Sequence, residues 1–246
     1  MNEINSKKYV SKKLIISGNV VEYYEYENGY IKGGTSSGGR GDGNGENQNK
    51  NRKDTISRAQ KRLRRLINSN AGQYGDCTSK FFTLTFGEQV EDIEQANIEF
   101  KNFIKRLNWK LYETKKRVIK YSAVIEFQKT GRIHYHIIFY NLPYTHWKTL
   151  LEVWRGSTLA GGIDIRKIDH VDNVGAYMVK YMGKESHDDR LKGKKMYFNS
   201  RGLKEPLEIL DKKEVENLVD SLPRPKFETT FDNDYLGDIK YSQHIL

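Results

Sequence analysis

Cysteine is almost missing from this 246-residue chain. Cys77 stands alone, which excludes an intrachain disulfide and fits a reducing compartment. No apolar run approaches the ~18 residues that a membrane helix needs, and residues 1–13 lack the apolar core of a signal peptide. No Gly-x-x-x-x-Gly-Lys-Ser/Thr loop occurs, so a nucleotide-hydrolysing module of that kind is excluded. There is no internal repeat. These absences lead to the expectation of a soluble intracellular protein, cytoplasmic in location.

Acidic residues are outnumbered: 42 Lys and Arg stand against 32 Asp and Glu, leaving a net charge of +10. Such an excess favours an anionic partner, most simply nucleic acid, although charge alone is weak support. Apolar residues make up 37% of the chain, 12% being aromatic, enough for the core of one domain with appendages or of two small ones.

Residues 14–31 are rich in Val, Ile and Tyr and predict a β-hairpin. Residues 33–49 are mostly Gly, Ser, Asn and Asp with little to bury, which predicts a flexible linker. The most basic stretch follows. Its Ile56, Ala59, Leu63, Leu66 and Ile67 recur at helical spacing, with Thr55 or Ser57 as the expected cap. The rest of that helix is cationic, and Arg58, Lys61, Arg62, Arg64 and Arg65 become candidates for phosphate contact.

From residue 80 the pattern is regular. It predicts a strand at 81–86, a long helix at 91–114, strands at 119–127 and 133–140, a helix at 145–154 and a strand at 163–168. The order matches an α+β fold, a ferredoxin-like antiparallel sheet with helices packed on one face. A helix at 174–184 capped by Asp172 or Asn173, a short strand at 196–199 and a helix at 212–222 complete it. The expected organisation is a hairpin extension over 1–32, the linker over 33–49, a principal domain over 50–222 and a polar tail over 223–246.

Two motifs carry chemistry. On a strand, residues two apart share a face, so His134 and His136 present two imidazoles together. The turn before them ends in Gly131, and a three-residue loop wants glycine at its last, left-handed position. That register pairs Gln128 with Arg132 and sets Glu126 opposite His134, bringing one carboxylate and two imidazoles to one face. A two-residue turn at Thr130-Gly131 would send Glu126 to the other face. The first arrangement suits several divalent ions without naming one. The four remaining histidines show no paired spacing.

The second motif is Tyr177-Met178-Val179-Lys180-Tyr181, where helical spacing sets two phenols on one face with Lys180 and Lys184 three residues after each. A phenol has a pKa of ~10 and needs help to act as a nucleophile at neutral pH. A neighbouring ammonium can supply it. The bland alternative makes Tyr177 and Tyr181 a core stripe with Val174 and Met178, the lysines facing water.

Together these residues resemble the HUH endonuclease superfamily, and more closely the paired-tyrosine replication initiators of rolling-circle plasmids and single-stranded DNA phages. Phe82-Thr83-Leu84-Thr85-Phe86 resembles the first motif strand of that group. Glu126-Phe127-Gln128 with Ile133-His134-Tyr135-His136 resembles its metal motif, and residues 177–184 its tyrosine motif. The basic helix and Ser200-Arg201-Gly202-Leu203-Lys204 resemble it more loosely. Tyr135 is bulkier and more polar than the usual aliphatic middle residue.

The resemblance spans roughly residues 51–206 and implies a DNA nicking and joining enzyme. It implies magnesium or manganese held by Glu126, His134 and His136, and attack by Tyr177 or Tyr181 to form a 5′-phosphotyrosine. It further implies Lys180 as electrostatic helper and Lys184 among the DNA contacts. The implied partners are single-stranded origin DNA, a host polymerase and, since no helicase is fused, a host helicase, all in a bacterial host cell. Three other readings remain open from the residues: a relaxase or transposase of the same superfamily, a non-catalytic nucleic-acid-binding ferredoxin-like module, and a β-barrel metal oxygenase. The last expects a carboxylate a few residues after the His pair, and residues 137–142 offer none.

Overall fold

The computed structural model describes residues 8–33, 45–87, 90–128, 130–183 and 194–246. It is an α+β protein with two antiparallel five-stranded sheets. The chain divides into two compact units, one of residues 1–57 with 205–246 and one of residues 58–204. Among the described residues, no helix is long and apolar enough to cross a membrane.

The first unit is built on the hairpin of β1 (Lys8–Ser17) and β2 (Val20–Lys32). The segment expected to be a polar tail is not one. It contributes β9 (Phe227–Asn233) and β10 (Gly237–Ile245), and with β8 (Leu207–Ile209) gives the order β8-β1-β2-β10-β9. β10 pairs with β2 from Ile239↔Tyr26 to Ile245↔Val20. The hairpin is thus half of a sheet rather than an extension, and the principal domain ends near Lys204 rather than at residue 222. The miss has a physical cause: β9 is exposed on both faces and has no apolar alternation to read. Helix α5 (Lys212–Val219), capped by the Asp211 carboxylate accepting from Glu214 N at 3.0 Å, buries Val215 against Leu14, Val21 and Ile209.

The second unit carries the expected core. Its sheet runs β6-β3-β5-β4-β7, from β3 (Lys80–Phe86), β4 (Tyr121–Phe127), β5 (Ile133–Phe139), β6 (Ala160–Lys167) and β7 (Tyr197–Asn199). One face is apolar: Phe82, Leu84, Ala123, Ile125, Ile133, Tyr135, Ile137 and Phe139. Helix α2 (Ile93–Tyr112) covers it with Ala96, Phe100, Phe103 and Leu107, and α3 (Trp147–Arg155) with Leu150 and Trp154. Tyr135 suits this position because its ring stacks on Phe100, centroids 4.6 Å apart, while its hydroxyl donates to Asn97 Oδ1 at 2.7 Å.

Helices are not confined to that face. α1 (Gly45–Asn68) and α4 (Val174–Gly183) cover part of the other, Leu63 and Ile67 meeting Val174, Met178 and Met182 over Phe81, Val124 and Ile138. The α1 backbone is helical from Gly45, ten residues before the expected cap at Thr55, so Thr55 and Ser57 lie within the helix. Of the expected linker, residues 34–44 lie outside the described residues and 45–49 are helical.

Candidate active site

Register decides the site. Glu126 pairs with His134 and Val124 with His136, and Thr83 on β3 lies across from His136. Gln128 N donates to Arg132 O at 2.8 Å and Gly131 has φ 83°, the glycine-dependent turn expected from the sequence. Glu126, His134 and His136 therefore share the face on which α4 packs, away from the main apolar core.

Both imidazoles are nearly buried, His136 at 4% exposure and His134 at 8%. His136 Nε2 lies 2.5 Å from Glu126 Oε2 and its Nδ1 lies 3.1 Å from the Thr83 hydroxyl. That hydroxyl can accept the Nδ1 proton and leave Nε2 as the electron-pair donor. His134 Nδ1 is 3.4 Å from the Gln128 side-chain amide, and its Nε2 is buried with no partner. A buried imidazole nitrogen left unsatisfied is costly, which makes it a sign of function. Burial, and next the neighbouring His136, holds His134 below the usual imidazole range, favouring the neutral form that can bind a cation.

Two imidazole nitrogens and a carboxylate fit a divalent cation chemically. Among the described residues, however, no three His, Cys, Asp or Glu side chains are already gathered as a metal cluster. The Glu126 carboxylate is turned onto His136, and a cation would have to replace that hydrogen bond.

α4 brings the tyrosines to the same place. The ring centroids of Tyr181 and His136 are 3.9 Å apart, and Phe81 lies 5.4 Å from Tyr181 and 5.1 Å from Tyr177. The Tyr181 hydroxyl donates to the Tyr177 oxygen at 3.2 Å. Burial, followed by Tyr177, pushes the Tyr181 phenol up to about 12, while Arg166 acts in the opposite direction. Lys180 is exposed, its Nζ 5.8 Å from the Tyr177 ring centroid, and Lys184 lies outside the described residues.

The position of α4 is fixed from α1. Asn173 is its cap, its Oδ1 accepting from Ala176 N at 2.9 Å. Asn68, the last residue of α1 and buried, donates to the same Oδ1 at 2.9 Å and accepts from Gly175 N at 2.7 Å. A Cβ on Gly175 would fall 2.1 Å from the carbonyl oxygen of Arg64, so only glycine allows this approach of the two helices. On α1, Arg58, Lys61 and Arg62 are exposed, and Arg64 and Arg65 are half-buried.

Several contributors were not singled out from the sequence: Thr83 and Gln128 beside the imidazoles, Phe81 beneath the tyrosines, Asn68, and the pair Asp164–Arg166 at 2.7 Å on β6. The β3–β6 register, Thr83↔Asp164 and Phe81↔Arg166, puts that pair on the site face. Only the pairing of those two strands, which a sequence does not state, could have pointed to it.

A family model for replication-associated proteins of the ORF2 type matches residues 79–186, from the start of β3 past the end of α4. The matched span contains both histidines, Glu126 and both tyrosines, and it supports a place in a replication-initiator family. Searches of curated proteins and of solved structures gave no match.

Proposed function

We propose that this chain is a rolling-circle replication initiator that nicks single-stranded origin DNA by tyrosine attack and later rejoins the strand. One observation carries the reading. The paired hydroxyls of Tyr177 and Tyr181 lie on the face of β5 that bears His134 and His136, with Tyr181 against His136 itself. The alternative of a plain core stripe explains Met178, which is fully buried, but leaves two half-buried phenols beside two imidazoles and a carboxylate unexplained.

In this reading Tyr177 attacks first. Its oxygen already accepts a hydrogen bond from Tyr181, whose own phenol is held protonated by burial. A hydrogen bond to the attacking oxygen stabilises negative charge as the proton leaves, and Lys180 and Arg166 add positive charge nearby. The Tyr177 oxygen bonds to phosphorus, its proton passes to solvent, and the bond from phosphorus to the 3′-oxygen breaks. That oxygen takes up a proton and leaves as a 3′-hydroxyl, while the 5′-phosphate stays on the tyrosine. One phosphoester replaces another, so rejoining needs no ATP. Tyr181 can then repeat the attack on a regenerated origin while Tyr177 holds the first end.

Glu126, His134 and His136 would hold the magnesium or manganese ion, which when bound polarises the scissile phosphodiester. Thr83 and Gln128 keep the two imidazoles turned toward it. A host polymerase would extend the 3′-hydroxyl and a host helicase would open the duplex, in the cytoplasm of a bacterium carrying the plasmid or phage.

The test is direct. The full chain is incubated with manganese and labelled single-stranded oligonucleotides tiling its own replicon. A covalent DNA–protein adduct that is abolished by chelator and by the double change Tyr177→Phe/Tyr181→Phe is expected. No adduct with any oligonucleotide, alongside tight binding, would turn the reading toward a non-catalytic module.

A further inference from the structure

The outermost strand of the first unit is unlike the other sheet edges. β9 lies at the end of its sheet, and its residues from Phe227 to Asp232 are exposed on both faces. Phe227 and Phe231 are 54% and 44% exposed, large apolar rings on one face of a free edge. Proteins usually blunt such edges with short strands, prolines, lysines or bulges. β8 and β7, edges of the two sheets, have three residues each. β6 has two glycines and a register shift against β3. β9 has seven residues, no proline, no lysine and an unbroken register with β10 from Asn233↔Gly237 to Phe227↔Gln243. Lys226 N continues the ladder, donating to Gln243 O at 2.8 Å.

The sequence of this edge is complementary to itself in one register. A two-fold axis normal to the sheet keeps matching faces together, so antiparallel self-pairing must centre on a single residue. Centred on Thr230, the pairing opposes Glu228 and Asp232, a like-charge clash made twice. Centred on Thr229, it opposes Phe227 with Phe231 and Lys226 with Asp232, each made twice, and leaves Glu228 opposite the uncharged Thr230. Aromatic pairs and opposite charges across strands are the contacts that stabilise antiparallel neighbours.

We propose that β9 is a dimerisation edge, on which a second copy of this chain pairs antiparallel about Thr229 and joins two five-stranded sheets into one of ten strands. The exposed phenylalanines are then the contact that the pairing buries. This inference is independent of the nicking reading.

The full chain is followed by sedimentation velocity over concentrations from roughly micromolar to several hundred micromolar, the range expected for a small interface. A concentration-dependent dimer is expected. Lys226→Asp and Asp232→Lys each replace two attractions by two repulsions and should weaken it by about tenfold, whereas the double swap should recover most of the loss. Phe231→Lys should leave a monomer. All three positions are exposed, so circular dichroism of each variant should match the parent. A parent chain that stays monomeric throughout, single swaps that dimerise like the parent, or a double swap no tighter than the singles would each overturn the proposal.

Discussion

Tyr181 is held between two partners, its ring 3.9 Å from His136 and its hydroxyl donating to Tyr177 at 3.2 Å. The two contacts divide the labour of the proposed chemistry. One ties the tyrosine helix to the imidazole strand, and the other aims a proton donor at the attacking oxygen.

The pairing can be read by titration. Tyr181 is pushed up to about 12, first by burial and then by Tyr177. Tyr177→Phe removes the second cause and leaves the first, so Tyr181 should titrate below the parent value yet above the ordinary ~10. Carbon NMR of labelled tyrosine rings measures it. A raised phenol also means that the unfolded chain loses its proton first on the way up, so this group's contribution to stability is lost between about 10 and about 12. An unmoved Tyr181 resonance in the variant would show that the two hydroxyls do not interact.

His134 should trade stability for activity. Its Nε2 is buried without a partner, a penalty that a leucine of similar size would not carry. His134→Leu should raise the stability of the metal-free protein by roughly 1 kcal/mol, a few degrees in Tm. It should also abolish adduct formation and weaken manganese binding by at least about tenfold, read by calorimetry. A variant both less stable and fully active would remove His134 from the site.

Most of the catalytic unit was legible because its signals are periodic. The His134–His136 alternation, the Gly131 turn that sets Glu126 opposite His134, and the Tyr177–Tyr181 helical spacing all depend on neighbours in sequence. What escaped depends on distant pairing. Asp164 and Arg166 reach the site only through the β3–β6 register, and Asn68 acts on α4 across 105 residues of chain. The strands β9 and β10 escaped for a different reason. With few buried side chains between them, they are held mainly by ladder hydrogen bonds to β2 and to each other, and a hydropathy pattern cannot see such bonds.

Gly175 and Asn68 should control the reaction without touching DNA. Gly175→Ala forces a methyl group within 2.1 Å of the Arg64 carbonyl oxygen, and α4 must move off α1 to relieve it. A loss of about 1–3 kcal/mol is expected. Asn68→Ala leaves Gly175 N without its partner and should cost about the same. In both variants single-strand affinity should stay within about twofold while the rate of adduct formation falls by at least tenfold, since a displacement near 1 Å can cost that much or more. Folded variants that cleave at the parent rate would show that the clamp does not position the tyrosines.

The exposed basic residues of α1 should account for part of the salt dependence of binding. Arg58, Lys61 and Arg62 lie on the helix that packs with α4 over the site face, so a strand reaching Tyr177 has them within its neighbourhood. Each single-strand phosphate contact contributes about −0.7 to the slope of log K against log salt. If Lys61 and Arg62 each hold one phosphate, Lys61→Gln/Arg62→Gln should flatten the slope by about 1.4 and weaken binding equally for every sequence. Lys105 and Lys110 are the internal control. They are exposed on α2, which covers the opposite face of the same sheet, and neutralising them should leave the slope unchanged. Fluorescence anisotropy over a salt series measures both. Equal flattening by the two pairs would mean that the charge acts as a diffuse field; flattening by the α2 pair alone would place the strand on the wrong side of the sheet for either tyrosine to reach it.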